Sequence, residues 1–135
     1  MARQFAGSSF RGYPSLEVSF LSAIELMTPR MVQDMRRSCQ LAADCLNAVG
    51  EMIRPGLRTD EIDQFVHEYI VSHDAHPSPL QYGGGGGRPP FPKSVCTSVN
   101  DCVCHGIPGP YALRDGDIVN VDVTTYLPKK HGYHG

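Results

Sequence analysis

The chain has 135 residues, 41% hydrophobic and 19% charged, with a formal net charge of -2. That length leaves too little chain for two independent cores, and the balance excludes both a disordered acidic tail and a basic nucleic-acid binder. No run approaches the roughly 18 uncharged apolar residues of a membrane span, so neither nucleic acid nor a bilayer is expected as a partner.

Residues 1–23 read as an N-terminal extension. Arg3 and Arg11 and the absence of acidic residues before Glu17 suit an organelle transit segment or an ordinary chain end. Five cysteines, Cys39, Cys45, Cys96, Cys102 and Cys104, are an odd number without a secretory signal, so they read as reduced thiols in an intracellular chain.

Thr28-Pro29 opens the first helix, with the threonine as cap and the proline at the first helical position. Met31, Met35, Cys39, Ala42, Leu46, Val49 and Ile53 recur at steps of three and four, which predicts their side of the helix as the buried stripe. Arg54-Pro55-Gly56 supplies the stop. A second helix follows: Thr59 precedes Asp60 and Glu61 at the positive end, Ile62, Phe65, Val66, Tyr69 and Ile70 make the apolar face, and the pattern fades near Ser72.

His76-Pro77-Ser78-Pro79 blocks further helix, and Gly83–Gly87 with Arg88-Pro89-Pro90 reads as a flexible surface loop. The glycine run lacks the lysine and hydroxyl of a phosphate-binding loop. Ser94–Val99 is strand-like and Asn100-Asp101 a turn pair. Asp115-Gly116 turns the chain into one long strand over Ile118–Leu127. Two helices followed by strands give an α+β layer, with helices on one face of an antiparallel sheet.

The last strand separates Val119, Val121 and Val123 from Asn120, Asp122 and Thr124 by its period of two. Asp is depleted in strand interiors, so the Asp122 carboxylate either faces water or is held by a cation or hydrogen bonds. Cys102-Val103-Cys104-His105, with His131 and His134, offers zinc-type ligands, but no C-x-x-C knuckle exists. Buried free thiols and surface histidines are the plainer reading.

Three blocks in order carry a resemblance: Phe91-Pro92-Lys93-Ser94-Val95-Cys96-Thr97-Ser98-Val99-Asn100, Cys104-His105-Gly106-Ile107-Pro108, and Asp115-Gly116-Asp117-Ile118-Val119-Asn120-Val121-Asp122-Val123-Thr124. The chain from about Ile24 to Gly135 resembles type I methionine aminopeptidases. The resemblance implies the N-terminal half of a pita-bread fold, in which two pseudo-symmetric αβ halves enclose a divalent metal pair (cobalt, manganese, iron or zinc). It also implies hydrolysis of the bond after an initiator methionine by a metal-activated water.

By the same resemblance Asp122 matches the first metal-ligand aspartate, and His105 the histidine that contacts the scissile amide and stabilises the transition state. Pro79, Tyr82 and Phe91 match the pocket for the methionine side chain. The implied partners are N-terminal methionine peptides of nascent chains, with the ribosome as a further one. A mitochondrion or other organelle is the implied compartment, and the cytoplasm is the alternative.

Two departures from the family pattern stand out. Extra glycines and Arg88-Pro89-Pro90 form an insertion near 83–90, between the pocket aromatics. The family's Gly-Tyr-His-Gly is followed by a second ligand aspartate and later by a histidine and two glutamates, whereas this chain stops at Gly132-Tyr133-His134-Gly135. The expectation is therefore an incomplete ligand set, marginal stability in isolation and little activity from these residues alone. The alternative function is a non-catalytic remnant or peptide-binding module.

Overall fold

The computed structural model describes residues 26–127 and the backbone of 133–134. The extension over 1–23, His131 and the side chain of His134 lie outside the described residues.

Helix α1 spans Pro29–Met52, and α2 spans Thr59–Ser72. Thr28 caps α1 by accepting the Met31 amide at 3.3 Å, with Pro29 at the first helical position, as the sequence predicts. The buried face differs from the predicted stripe. It runs through Ser38, Leu41, Ala42, Cys45 and Val49, while Cys39, Leu46 and Ile53 face outward. Tertiary contacts set this rotation: α1 packs on α2 and on the sheet, and the Thr125 hydroxyl donates to the Ser38 carbonyl at 2.9 Å. A small polar residue at 38 lets the sheet approach the helix backbone, and the apolar side chains one position along are turned to the outside.

Helix α2 buries Ile62, Val66 and Ile70 completely. Its first amides are satisfied from outside: Thr59 N donates to Tyr111 O at 3.0 Å, and Asp60 N to Gly109 O at 2.9 Å. The Thr59 hydroxyl both donates to Gly109 O and accepts from Gly109 N, each at 3.0 Å. Segment 109–113 is thereby stitched along the turn between the helices, where Leu57 and Leu113 join the core.

Five short strands follow among the described residues: β1 (His76–Pro77), β2 (Cys96–Val99), β3 (Val119–Asp122), β4 (Thr125–Leu127) and β5 (Tyr133–His134). They form two antiparallel sheets, one ordered β1-β4-β5 and one pairing β2 with β3. The single strand predicted over Ile118–Leu127 is thus divided at Val123–Thr124. The cause is a change of ladder partner. β2 begins at Cys96, the register partner of Asp122, so the chain beyond Asp122 has lost that edge. Thr124 O accepts from Ser78 N at 2.9 Å, and Thr125 then pairs with Pro77. Val123, at the crossing, is buried in the shared core.

The helices lie against the β1-β4-β5 sheet, in keeping with the α+β expectation. Thr97 Oγ1 is buried with no hydrogen-bond partner among the described residues. An unpaired buried hydroxyl costs about 1–3 kcal/mol. Thr97→Val, close in shape, is expected to raise stability by roughly 1 kcal/mol, read as a higher midpoint in urea at unchanged slope.

Candidate active site

Four local constructions converge on one cavity. The first is a pair of turns after β1, in which Leu80 N donates to Pro77 O at 3.2 Å and Tyr82 N to Pro79 O at 2.9 Å. Ser78 and Pro79 thereby face the end of β3.

The second is the insertion. Gln81 N donates to Phe91 O and Phe91 N to Tyr82 O, each at 2.9 Å, and Gly85 and Arg88 exchange amide-to-carbonyl bonds at 3.1 Å. The segment read from sequence as a loop is therefore a hairpin excursion with a closed base. Five consecutive glycines at positive φ, Gly83 to Gly87, make the tight reversal that residues with a Cβ resist. Because the excursion closes at 81–91, it leaves Tyr82 and Phe91 neighbours instead of separating them.

The third is an anchor from α2. Asp63 accepts the Ser94 amide at 2.7 Å through one carboxylate oxygen and pairs with Lys93 Nζ at 3.2 Å through the other. His67 Nδ1 shares a 2.9 Å hydrogen bond with Ser94 Oγ. These contacts fix the chain between Phe91 and β2.

The fourth is the β2–β3 pair and the loop beyond it. Asp122 is opposite Cys96 in register, exposed at the end of a strand whose valines are partly buried. The loop returns to β2 at Gly106, where Thr97 N donates to Gly106 O at 2.9 Å and Gly106 N to Ser98 Oγ at 3.2 Å. His105, immediately before it, has φ +54°, a left-handed conformation uncommon outside glycine and frequent at functional sites.

The result is a cavity of about 400 Å³ bordered by Pro79, Tyr82, Phe91, His105 and Asp122 together with Ser78, Cys96 and Thr124. All five candidate site residues from the sequence meet there. Sequence reasoning missed Ser78 and Cys96 as site residues. Thr124 shared the Asp122 side of its strand by period two, but Cys96 carried no alternation signal because three of the four β2 residues are buried. Burial, then Asp122, then Cys104 push the Cys96 thiol above its ordinary pKa, so it lines the cavity as a neutral, polarizable group.

Asp122 brings one carboxylate to the cavity, and no group of three or more His, Cys, Asp or Glu suited to a metal ion occurs among the described residues. A hard or borderline divalent pair needs several oxygen or imidazole donors. The described residues therefore do not by themselves hold such a pair.

The loop's far side is organised by Asp117. Its carboxylate accepts from Asn100 Nδ2 at 2.8 Å, Arg114 N at 2.8 Å and Tyr111 Oη at 2.9 Å. The Asn100 side chain, then the Arg114 amide, then Tyr111 hold the Asp117 carboxyl below the usual carboxylate range. A depressed folded pKa gives stability that is present above the unfolded value and lost as pH falls through the folded one. Stability is thus expected to decline below about pH 4, and Asp117→Asn to flatten that decline in urea titrations run from neutral to acid pH.

With this geometry in view, the chain's relatives identify the class. Residues 33–135 match the model of Metallopeptidase family M24. The chain belongs to that family. It is 52% identical over 112 residues to methionine aminopeptidase 1D, mitochondrial, of Danio rerio, covering 83% of this chain and 30% of that protein. It is 50% identical over 114 residues to methionine aminopeptidase 1B, chloroplastic, of Arabidopsis thaliana, covering 84% and 28%. The crystal structure of methionine aminopeptidase from Rickettsia prowazekii superposes with a TM-score of 0.70 at 42% identity, over 76% of this chain and 39% of that one. The pita-bread fold of such enzymes is therefore the one this α+β chain partly represents. The chain spans about a third of the length of the curated relatives it matches.

Proposed function

We propose that this chain forms one wall of a site where an N-terminal methionine is held and removed by metal-dependent hydrolysis. The observation that carries the proposal is the convergence of Pro79, Tyr82, Phe91, His105 and Asp122 on a single cavity. Aromatic and proline walls with the Cys96 thiol suit an unbranched, polarizable thioether. His105, at the same cavity, has an imidazole able to donate a hydrogen bond to a carbonyl oxygen that gains charge during amide cleavage. Asp122 offers a hard oxygen ligand to one divalent cation, and the remaining ligands must come from outside the described residues.

The substrates in this reading are nascent chains carrying an initiator methionine, met at or near the ribosome. The mitochondrial and chloroplastic relatives favour an organelle. The test is release of free methionine from a Met-Ala-Ser peptide by the chain with added manganese or cobalt, with Asp122→Ala as control. Metal-dependent release that is lost in the control supports the proposal. Release that persists in the control, or that ignores metal, overturns it, and peptide binding without any release favours the non-catalytic peptide-binding module.

A further inference from the structure

The loop between β2 and β3 exposes two thiols separated by one residue. Cys102 and Cys104 are both exposed, and Val103 between them is 94% exposed, so the dipeptide step forms the apex of the loop. Cys102 Sγ lies 3.7 Å from the Cys104 carbonyl oxygen. The first thiol therefore already sits over the backbone of the second. The loop is tied below this apex by Cys102 N to Val99 O at 3.1 Å and by Thr97 N to Gly106 O at 2.9 Å. Neither bond uses the side chain of Cys102 or Cys104.

We propose that Cys102 and Cys104 form a redox-active dithiol, closed to an intraloop disulfide by low-molecular-weight disulfides of the glutathione class. One cysteine thiolate attacks a sulfur of the oxidised glutathione and expels one glutathione thiolate, giving a mixed disulfide. The second cysteine thiolate then attacks the protein sulfur of that mixed disulfide, forming the Cys102–Cys104 bond and expelling the other glutathione. Two protein thiols are oxidised, one disulfide is reduced, and the two protons released by the cysteines end on the two glutathione thiols.

Exposure selects this pair over the alternatives. Cys45 and Cys96 are buried, and thiol–disulfide exchange needs an accessible sulfur. Cys39 is exposed but lies on α1, where the next cysteine, Cys45, is more than one helical turn along the chain and buried. The disulfide would close a ring of three residues and must turn the Cys104 backbone to do so. His105 is the next residue and is held in the left-handed region, so ring closure changes the angle at which its imidazole enters the cavity.

The experiment treats the reduced chain with oxidised glutathione, blocks remaining thiols by alkylation and maps the digest by mass spectrometry. Protection of Cys45 identifies the folded molecules from which the map is read. The expected product carries no glutathione on this loop, has lost both loop thiols to alkylation, and links Cys102 to Cys104. Cys102→Ser is expected to retain glutathione on Cys104 as a stable mixed disulfide. A link between Cys96 and Cys104, or persistent glutathione on the loop of the unsubstituted chain, overturns the proposal. In the same samples oxidation should shift the His105 imidazole resonances and leave those of His67 and His73 on or beside α2 in place, and an unmoved His105 overturns its coupling to the loop. These readouts are chemical and spectroscopic, so they stand or fall independently of whether the cavity binds methionine.

Discussion

Gly106→Ala is expected to destabilise the chain by roughly 3 kcal/mol and to detach the His105 loop from β2. A Cβ at this position would lie 2.1 Å from the Thr97 carbonyl oxygen, 2.8 Å from its carbonyl carbon and 3.0 Å from Ser98 Cα. All three are backbone atoms of a strand paired with β3, so no side chain can rotate away to make room. Either the strand bends or the loop lifts. Lifting the loop breaks the bond from Thr97 N to Gly106 O and the bond from Gly106 N to Ser98 Oγ, each worth about 1 kcal/mol net. Chemical denaturation gives the first readout. Amide hydrogen exchange at Thr97 gives the second: its protection should collapse selectively, while that of Ile62 and Val66 on α2 falls only with global stability. A variant with unchanged midpoint and a protected Thr97 amide would show that the loop finds another seat.

The steric demand at Gly106 was not legible in the sequence, where Cys104-His105-Gly106-Ile107-Pro108 stands out only as a block of the resemblance. The close approach is a property of two segments separated along the chain, and no local pattern reports it. The same limit explains the other departures. On α1 the apolar pattern allowed a stripe through Cys39 and Leu46, and the face that is buried instead contains Ser38, chosen because Thr125 reaches its carbonyl. Over 118–127 the β-propensity was continuous, yet the strand divides where pairing passes from Cys96 of β2 to Pro77 of β1. Local signals marked both helices, β2 and the segment that becomes β3 and β4, whereas the two-residue strands β1 and β5 carried no strand pattern; partner availability set rotation and limits.

What the residues did disclose was local or periodic. Thr28-Pro29 marked the start of α1 because a cap and an N-terminal proline act within one turn. The alternation in β3 placed Asp122 opposite the valines because strand geometry alone dictates it. For the cavity, composition and spacing were silent on Pro79, Tyr82 and Phe91, and only the resemblance singled them out. The structure adds the reason they can act together across the insertion: the hairpin base ties Tyr82 to Phe91 regardless of what projects beyond it. Cys96 escaped notice because a buried thiol in a buried strand looks like core. Its place at the cavity follows from its register with Asp122.

On the proposed function, with the remaining metal ligands supplied from outside the described residues, His105→Ala is expected to lower kcat/KM for methionine release from a Met-Ala-Ser peptide by about 10²- to 10³-fold, the usual loss when one donor to a developing oxyanion is removed. If the imidazole donates mainly in the transition state, kcat falls and KM stays nearly constant. If it only lines the pocket, KM rises and kcat holds. The backbone at this position complicates a single substitution, because φ +54° disfavours alanine as it does histidine. His105→Asn separates the two effects. Asparagine tolerates the left-handed region and keeps a side-chain N–H donor, so it should preserve the loop and restore part of the rate. His105→Gly should relieve the backbone strain, leaving thermal stability equal or slightly higher, and still show the full loss of rate. A glycine variant as active as the unsubstituted chain would assign His105 to loop geometry and remove it from the chemistry.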